Sequence, residues 1–338
     1  MIKRSIKIPF TFETGPSLDA VDIIFHTSKE IPVPGEPVIW ICHALTANSD
    51  PEDWWPSLVG PGKLFDTERM FIICANVPGS AYGSSGPRST DPHTGKPYYF
   101  SFPAITVRDM AEANFAVLDS LGIKTVDLLV GSSIGGFQAL EMAVSRPECF
   151  RKAAFIATAP RISPWLSAWA EAQRMALEAD PSFRACESLD GGAAGLKCAR
   201  AQALISYRCF RGYGKTQAEE DPDTLFAGRA ASYERYQGEK LVRRAFDAYS
   251  YYYLCNALDS HNTGRGRGGV TAALSRITAE TLVAEVDTDL IFPPEEIRSW
   301  YKSIPGATLG SITSDFGHDG FLLEYDQLTN LLKPLLCR

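Results

Sequence analysis

The chain has 338 residues, a formal net charge of -7 and a sequence pI of about 5.4. This acidic balance argues against nucleic acid or an anionic membrane as a partner, because both require a basic face that neutralises phosphates. At this length the chain forms either one large domain with an insertion or two ordinary domains.

The sequence contains no recognisable targeting segment and no metal motif. Residues 1–12 lack a signal-peptide core, and no later run reaches the roughly 18 apolar residues of a membrane helix. The eight cysteines lie singly, without a C-x-x-C pair. We therefore expect a cytoplasmic protein with free thiols and no bound metal.

Short apolar runs rich in β-branched residues predict the strands of a buried parallel sheet. These runs are residues 38–42, 70–74, 126–130, 153–157 and 282–286. Between them, Thr106 and Asp109 form the pattern of a capping box, which predicts a helix that ends at Gly122. Strands and helices alternate, so the predicted class is α/β.

The alternation stops between residues 161 and 269, where the apolar residues follow helical spacing. A glycine-rich segment, 264–269, predicts the loop that returns to the alternating part. We therefore predict a helical lid at 161–269, inserted into a core formed by residues 1–160 and 270–338.

Residues 131–135 read Gly-Ser-Ser-Ile-Gly, directly after a predicted strand and before a predicted helix. This context is typical of the nucleophile elbow of the α/β-hydrolase fold, in which a serine lies in a strained turn. Glycines are needed two residues away on either side, because side chains there would collide. The pattern predicts Ser133 as a nucleophile.

The α/β-hydrolase fold requires an acid and then a histidine after the serine. Asp289 follows the predicted strand 282–286, and His318 lies 29 residues further on between Gly317 and Asp319-Gly320. We predict that His318 takes the proton of Ser133 and that Asp289 orients the imidazole. Asp287 is the alternative acid.

Two backbone N–H groups are expected to form the oxyanion hole. Ile134 follows the nucleophile, and Leu45 lies in the loop after the strand 38–42. We assign a structural role to His43 in the same loop.

Several motifs together resemble the homoserine O-acetyltransferase family, acyl-CoA-dependent members of the α/β-hydrolase fold. The resemblance extends from about residue 38 to residue 325. It rests on residues 43–46, 60–63, 83–87, 102–110, 131–136 and 317–322 and, in the lid, on 195–200, 206–208, 232–238, 246–248 and 264–269.

The resemblance implies that acetyl-CoA or another acyl-CoA is a co-substrate, with no permanently bound cofactor, and that the acyl group passes through Ser133 to an amino-acid hydroxyl. It also implies that Arg200 and Tyr207 bind the substrate carboxylate and Asp319 the ammonium group, which suits the bidentate geometry of guanidinium. A homodimer through the lid is implied as well. Arg265 and Arg267 are candidates for coenzyme phosphates, although we expect a solvated loop there.

The leading functional hypothesis is therefore transfer of an acetyl group to L-homoserine, a step of methionine biosynthesis. Homoserine O-succinyltransferase and serine O-acyltransferase are alternatives within the family. A serine esterase would use the same triad with water as the acceptor. A non-catalytic binding protein of this fold would be expected to lack part of the triad, whereas all three residues are present.

Overall fold

The computed structural model describes residues 1–336 and is built around an eight-stranded sheet. The strands are β1 (Ile2–Thr11), β2 (Ser17–Thr27), β3 (Val38–Cys42), β4 (Phe71–Ala75), β5 (Val126–Ser132), β6 (Phe150–Ile156), β7 (Glu280–Val286) and β8 (Thr308–Ile312). Their order across the sheet is β1-β2-β4-β3-β5-β6-β7-β8. The pairs β1–β2 and β2–β4 are antiparallel and the other neighbours are parallel. The carboxyl ends of β3 to β8 therefore lie along one edge.

The five strands predicted from apolar runs are all present, with ends shifted by at most three residues. These strands, β3 to β7, are buried along most of their length, which explains their continuous hydrophobicity. The sequence did not predict β1, β2 and β8. In β1 exposed residues alternate with partly buried ones, as is usual for a strand with one solvated face.

Thirteen α-helices of four or more residues are present within residues 1–336. They are α1 (Pro51–Trp54), α2 (Val107–Ser120), α3 (Ile134–Ser145), α4 (Pro164–Glu178), α5 (Pro181–Ala185), α6 (Ala193–Tyr207), α7 (Phe210–Thr216), α8 (Arg229–Arg243), α9 (Ala248–Asp259), α10 (Val270–Leu274), α11 (Pro294–Trp300), α12 (Gly320–Leu323) and α13 (Tyr325–Leu336). The predicted capping box opens α2, with the Thr106 side chain and the Asp109 side chain each bound to the other's backbone N–H.

Two apolar clusters cover the two faces of the sheet. Because side chains alternate along a strand, Trp40 of β3 points into one cluster and Ile39 and Ile41 into the other. Helices α2 and α3 complete the first cluster and α13 completes the second. The fold is thus the predicted α/β-hydrolase arrangement, a mostly parallel sheet between layers of helices.

Helices α4 to α9 form one insertion between β6 and β7, and the two ends of this insertion meet. The Ile162 N–H donates to the His261 carbonyl (3.0 Å), and the Thr263 N–H donates to the Pro160 carbonyl (2.9 Å). The chain therefore leaves the sheet and returns to it at one point. We propose that this insertion, predicted as residues 161–269, acts as a lid over the carboxyl edge of the sheet, and we call it the lid below.

No helix within residues 1–336 is long and apolar enough to cross a membrane. Seven of the eight cysteines lie in this range, and all seven have free thiols. Cys337, for which we also predicted a free thiol, lies outside the described residues.

Candidate active site

Ser133 occupies the turn between β5 and α3 with φ 57° and ψ -129°. A residue with a side chain seldom adopts a positive φ, and such strain costs on the order of 1–3 kcal/mol. The neighbouring strand holds the turn: the Ser133 N–H donates to the carbonyls of Ile156 (3.1 Å) and Ala157 (3.2 Å). The Thr158 hydroxyl donates to the Ser133 carbonyl (2.9 Å). The structure therefore contains the strained turn that the elbow motif predicts.

The glycines on either side of Ser133 are required by close backbone contacts. A Cβ added to Gly131 would lie 2.2 Å from the Gly135 carbonyl oxygen, and one added to Gly135 would lie 2.3 Å from the Cys42 carbonyl oxygen. These distances are far below van der Waals contact. The first turn of α3 can therefore pack against β3 and β5 only because both positions lack a side chain.

His318 and Asp289 form a buried hydrogen-bonded pair. The distance from His318 Nδ1 to Asp289 Oδ2 is 2.7 Å, and each residue is 3% exposed. The other carboxylate oxygen of Asp289 accepts the N–H groups of Ile291 (2.8 Å) and Phe292 (3.0 Å), which fixes its orientation. His318 Nδ1 is thus bound to the acid, and Nε2 is the ring nitrogen left to face a reacting group.

The alternative acid, Asp287, has other partners. Its Oδ1 accepts the Ser314 N–H (2.9 Å), and its Oδ2 lies 3.6 Å from the guanidinium of Arg211. Asp287 therefore braces the loop that leads to His318, whereas Asp289 bonds to the imidazole itself.

The topology brings Ser133 and the His318–Asp289 pair to the same edge of the sheet. Ser133 follows β5 and Asp289 follows β7, two parallel strands with β6 between them. Phe292 connects the two parts: its ring centre is 5.7 Å from that of Phe137 in α3 and 5.4 Å from that of His318. Phe292 therefore links the imidazole to the helix that begins directly after Ser133.

The two predicted oxyanion donors belong to the segments that follow the neighbouring strands β3 and β5. The segment containing Leu45 follows β3, whose last residue, Cys42, is paired with Gly131. Ile134 is the first residue of α3. Within residues 1–336, the backbone N–H of neither Leu45 nor Ile134 has a hydrogen-bond acceptor. Both N–H groups are therefore unpaired among the described residues, which is consistent with the predicted role.

Arg200 and Tyr207 lie on one face of α6, two turns apart, and lead from the lid towards His318. The guanidinium carbon of Arg200 is 5.6 Å from the centre of the Tyr207 ring, which is 5.8 Å from the centre of the His318 ring. Burial raises the pKa of Tyr207 to about 12, so its hydroxyl stays protonated at neutral pH. In the described part of the chain, no carboxylate lies within ion-pair distance of the partly buried Arg200. A partly buried guanidinium in this state is suited to bind an anionic ligand.

Asp319 lies beside His318, but it already has a cationic partner. Its Oδ2 is 3.3 Å from Nη2 of Arg208, the residue after Tyr207. Burial raises the pKa of the Asp319 carboxyl, and the Arg208 charge opposes this shift. No local pattern in the sequence indicates this pairing, because the two residues are more than 100 positions apart in the chain.

The loop at Arg265 and Arg267 is largely exposed, as expected, but both arginines have carboxylate partners. Arg265 pairs with Glu13 (2.7 Å), and Arg267 donates to the Thr263 carbonyl (2.9 Å) and pairs with Glu141, which is buried. A buried carboxylate requires a cation nearby, so these arginines tie the return of the lid to the core.

Comparison with known proteins identifies both the fold and close relatives. A family model described as alpha/beta hydrolase fold matches residues 37–325. Homoserine O-acetyltransferase from Cyclobacterium marinum is 42% identical over 96% of this chain and 91% of the relative, and that from Chlorobaculum parvum is 40% identical over the same shares.

Among solved structures, homoserine O-acetyltransferase from Bacillus anthracis superposes with a TM-score of 0.89 at 24% identity, covering 100% of this chain and 98% of the other. Esterase E22 has a TM-score of 0.89 at 23% identity, covering 99% of this chain and 100% of the other. At these identities the structural likeness concerns the fold alone.

Proposed function

The chain belongs to the homoserine O-acetyltransferase family of the α/β-hydrolase fold, and we propose from this that it transfers an acetyl group from acetyl-CoA to the side-chain hydroxyl of L-homoserine. The observation that carries the proposal is the 42% identity to a homoserine O-acetyltransferase across nearly the whole length of both chains. The product is a precursor in methionine biosynthesis, and the use of acetyl-CoA fits a cytoplasmic location.

In the first half-reaction, we propose that Ser133 Oγ attacks the thioester carbonyl carbon. His318 Nε2 accepts the hydroxyl proton as the C–O bond forms, and Asp289 stabilises the resulting imidazolium. The N–H groups of Leu45 and Ile134 bind the oxyanion. The C–S bond then breaks, and the departing sulfur of coenzyme A takes the proton from His318, which leaves acetyl-Ser133.

In the second half-reaction, the hydroxyl oxygen of homoserine attacks the acetyl-Ser133 ester. His318 accepts the proton of this hydroxyl and returns it to Ser133 Oγ when the ester bond breaks. Because the acetyl group waits on the enzyme, the two substrates need not meet in one encounter. The kinetics are therefore expected to be ping-pong.

We propose that the acceptor binds between the lid and the triad. Arg200 would bind its carboxylate, since this cation has no carboxylate partner of its own in the described chain, and the Tyr207 hydroxyl would donate to the same group. The Asp319 carboxylate would attract the ammonium group. It would then interact with two cations, this ammonium group and the Arg208 guanidinium. This arrangement selects an amino acid over water as the acceptor.

The second candidate is a serine esterase, because the same Ser133, His318 and Asp289 would serve with water as the acceptor. The two activities share every step up to acetyl-Ser133 and differ only in what resolves it. Coenzyme A release by the purified protein distinguishes them, with acetyl-CoA or succinyl-CoA as donor and homoserine, serine or no acceptor.

Release that depends on homoserine and acetyl-CoA is the expected result. Equal release without any acceptor would contradict the transferase proposal and indicate hydrolysis, and preference for succinyl-CoA or serine would identify one of the related transferases. Ser133→Ala serves as the control and should abolish release while the melting temperature stays within a few degrees of the wild-type value.

We further propose that the protein dimerises through the lid. Five large apolar side chains are exposed on or between α6, α7 and α8: Ile205, Phe210, Leu225, Phe226 and Tyr236. Phe210 is 93% exposed, and an apolar surface of this kind is typical of an interface. Sedimentation of the wild type and of Phe210→Asp tests this, with a dimer expected for the first and a weakened dimer for the second.

A further inference from the structure

His43 is a buried histidine at the carboxyl end of β3, and the sequence suggested only a structural role for it. It is 1% exposed, and each ring nitrogen makes one hydrogen bond to the backbone. Nδ1 lies 2.9 Å from the carbonyl oxygen of Ala44, and the Val77 N–H lies 3.3 Å from Nε2. Neither bond joins His43 to Ser133, Asp289 or His318, so the mechanism described above does not use this residue directly.

The two hydrogen bonds define the tautomer of His43. A backbone N–H can only donate, so Nε2 must be the acceptor and carry no proton. The proton of the neutral ring is then on Nδ1, which donates to the Ala44 carbonyl. Burial lowers the pKa of His43 to about 4, and the ring therefore remains neutral at physiological pH.

The bond to the Ala44 carbonyl acts on Leu45, because the two residues share one peptide plane. In a trans peptide the C=O of one residue and the N–H of the next point in opposite directions and rotate together. The peptide bonds of residues 1–336 include no cis bond. An imidazole that holds the Ala44 oxygen therefore also holds the direction of the Leu45 N–H.

The same segment is also fixed relative to Ser133. The Gln138 side chain of α3 donates to the His43 carbonyl (3.3 Å), and Gly135 lies directly against the Cys42 carbonyl. The Ala44 carbonyl accepts a second hydrogen bond, from the Ala47 N–H (3.0 Å), which closes the turn after it. That turn is only partly buried, and two side chains hold it: His43 through the Ala44 carbonyl, and Tyr82, whose hydroxyl donates to the Thr46 carbonyl (3.1 Å).

We propose that His43 is a positioning residue for the oxyanion hole: its Nδ1–H orients the Ala44–Leu45 peptide so that the Leu45 N–H points at the oxygen of the acyl group. The hydrogen bond also polarises this peptide and strengthens the N–H as a donor. The inference rests on the proposed function, since it needs an acyl group on Ser133. It extends that function to a residue that touches neither the substrate nor the triad.

Three substitutions separate this role from simple packing. His43→Asn retains a donor at the position of Nδ1, His43→Gln retains an acceptor for Val77 but has no donor at Nδ1, and His43→Phe keeps the ring volume and removes both bonds. The assay is the burst of p-nitrophenolate when Ser133 is acetylated by p-nitrophenyl acetate, followed by steady-state turnover with acetyl-CoA and homoserine.

We expect His43→Gln and His43→Phe to acetylate at least ~10-fold more slowly, compared with the ~10²–10³-fold measured when an oxyanion donor itself is lost. His43→Asn should acetylate within ~3-fold of the wild-type rate. The homoserine KM should change by less than ~2-fold in all three, because the acceptor site is intact. His261→Phe is the matched control, because His261 is equally buried and also bonds a backbone carbonyl, that of Ala159 (2.8 Å). This substitution should lower the melting temperature without a comparable loss of burst rate.

Wild-type burst rates in His43→Phe, or equal losses in His43→Asn and His43→Gln, would overturn the inference. If His43→Phe fails to fold, the comparison of the Asn and Gln variants still decides it. Should the wild-type protein form no acetyl-enzyme from either donor, the proposed function fails instead, and this outcome is distinct from both of the others.

Discussion

Replacing Gly135 by alanine tests how closely α3 must approach β3 for the site to work. The new Cβ would lie 2.3 Å from the Cys42 oxygen and 2.9 Å from its carbonyl carbon. A relaxed carbon–oxygen contact is about 3.3 Å or more, so the helix and the strand must separate by about 1 Å. Both atoms belong to the backbone of a buried strand, which cannot rotate away as a flexible side chain would.

We expect this shift to slow acetyl transfer by on the order of 10²-fold, because it moves Ser133 and Ile134 relative to Leu45. Overpacking should cost about 1–3 kcal/mol of stability, partly offset by the higher helix propensity of alanine, about 1 kcal/mol. Coenzyme A release measures the first effect and thermal unfolding the second.

Gly214→Ala is the control, since a Cβ at Gly214 meets no atom within 4 Å. It should leave turnover unchanged and stabilise α7 slightly. Turnover within ~3-fold of wild type in Gly135→Ala would refute the argument that this contact sets the geometry of the site.

Three further predictions concern the acid, the acceptor site and the pH dependence of stability. Asp289→Asn should lower kcat by ~10³-fold or more, as for other triads that lose the acid. The kcat of Asp287→Asn should remain within ~10-fold of the wild-type value. Equal losses in the two variants would contradict our choice of acid. Arg200→Lys should raise the homoserine KM by ~10-fold or more without slowing the p-nitrophenyl acetate burst, because lysine lacks the bidentate fork; an unchanged KM would remove Arg200 from the acceptor site. Burial, with repulsion from Asp289, raises the pKa of Glu296 to about 7, so the native state loses stability as pH rises from about 4.5 to 7. Glu296→Gln should therefore raise the melting temperature more at pH 8 than at pH 5, and equal increases at both pH values would show that the carboxylate is not destabilised.

The features that local chemistry dictates were predictable from the sequence. A strand buried on both faces must be apolar throughout, and a nucleophile in a strained turn requires glycines around it, so β5, Gly131 and Gly135 left clear patterns. The hydrogen bond between Asp289 and His318 agrees with the order of residues in this fold. The strand and the glycines depend on residues that are close in the chain, and the Asp289–His318 pair follows the order of catalytic residues along the chain.

Features that depend on contacts between distant segments were not predictable. The outer strands β1 and β8 have one exposed face, and their mixed composition resembles that of a loop. The Arg208–Asp319 and Arg267–Glu141 pairs join the lid and its return loop to the core, and nothing in the local sequence reports a partner more than 100 residues away. The role that we propose for His43 also depends on a contact between separate segments, the hydrogen bond from the Val77 N–H.

The position of the lid in the sequence also determines when the candidate catalytic residues are synthesised. Ser133 leaves the ribosome with β5, but Asp289 and His318 follow only after the whole insertion between β6 and β7 has been made. Until then β6 lacks its neighbour β7, and Ser133 lacks the base that we propose for it. A nascent chain that ends anywhere before residue 318 is therefore expected to be chemically silent towards the acyl-coenzyme A pool around it, and reactivity begins only when the last strands join the sheet.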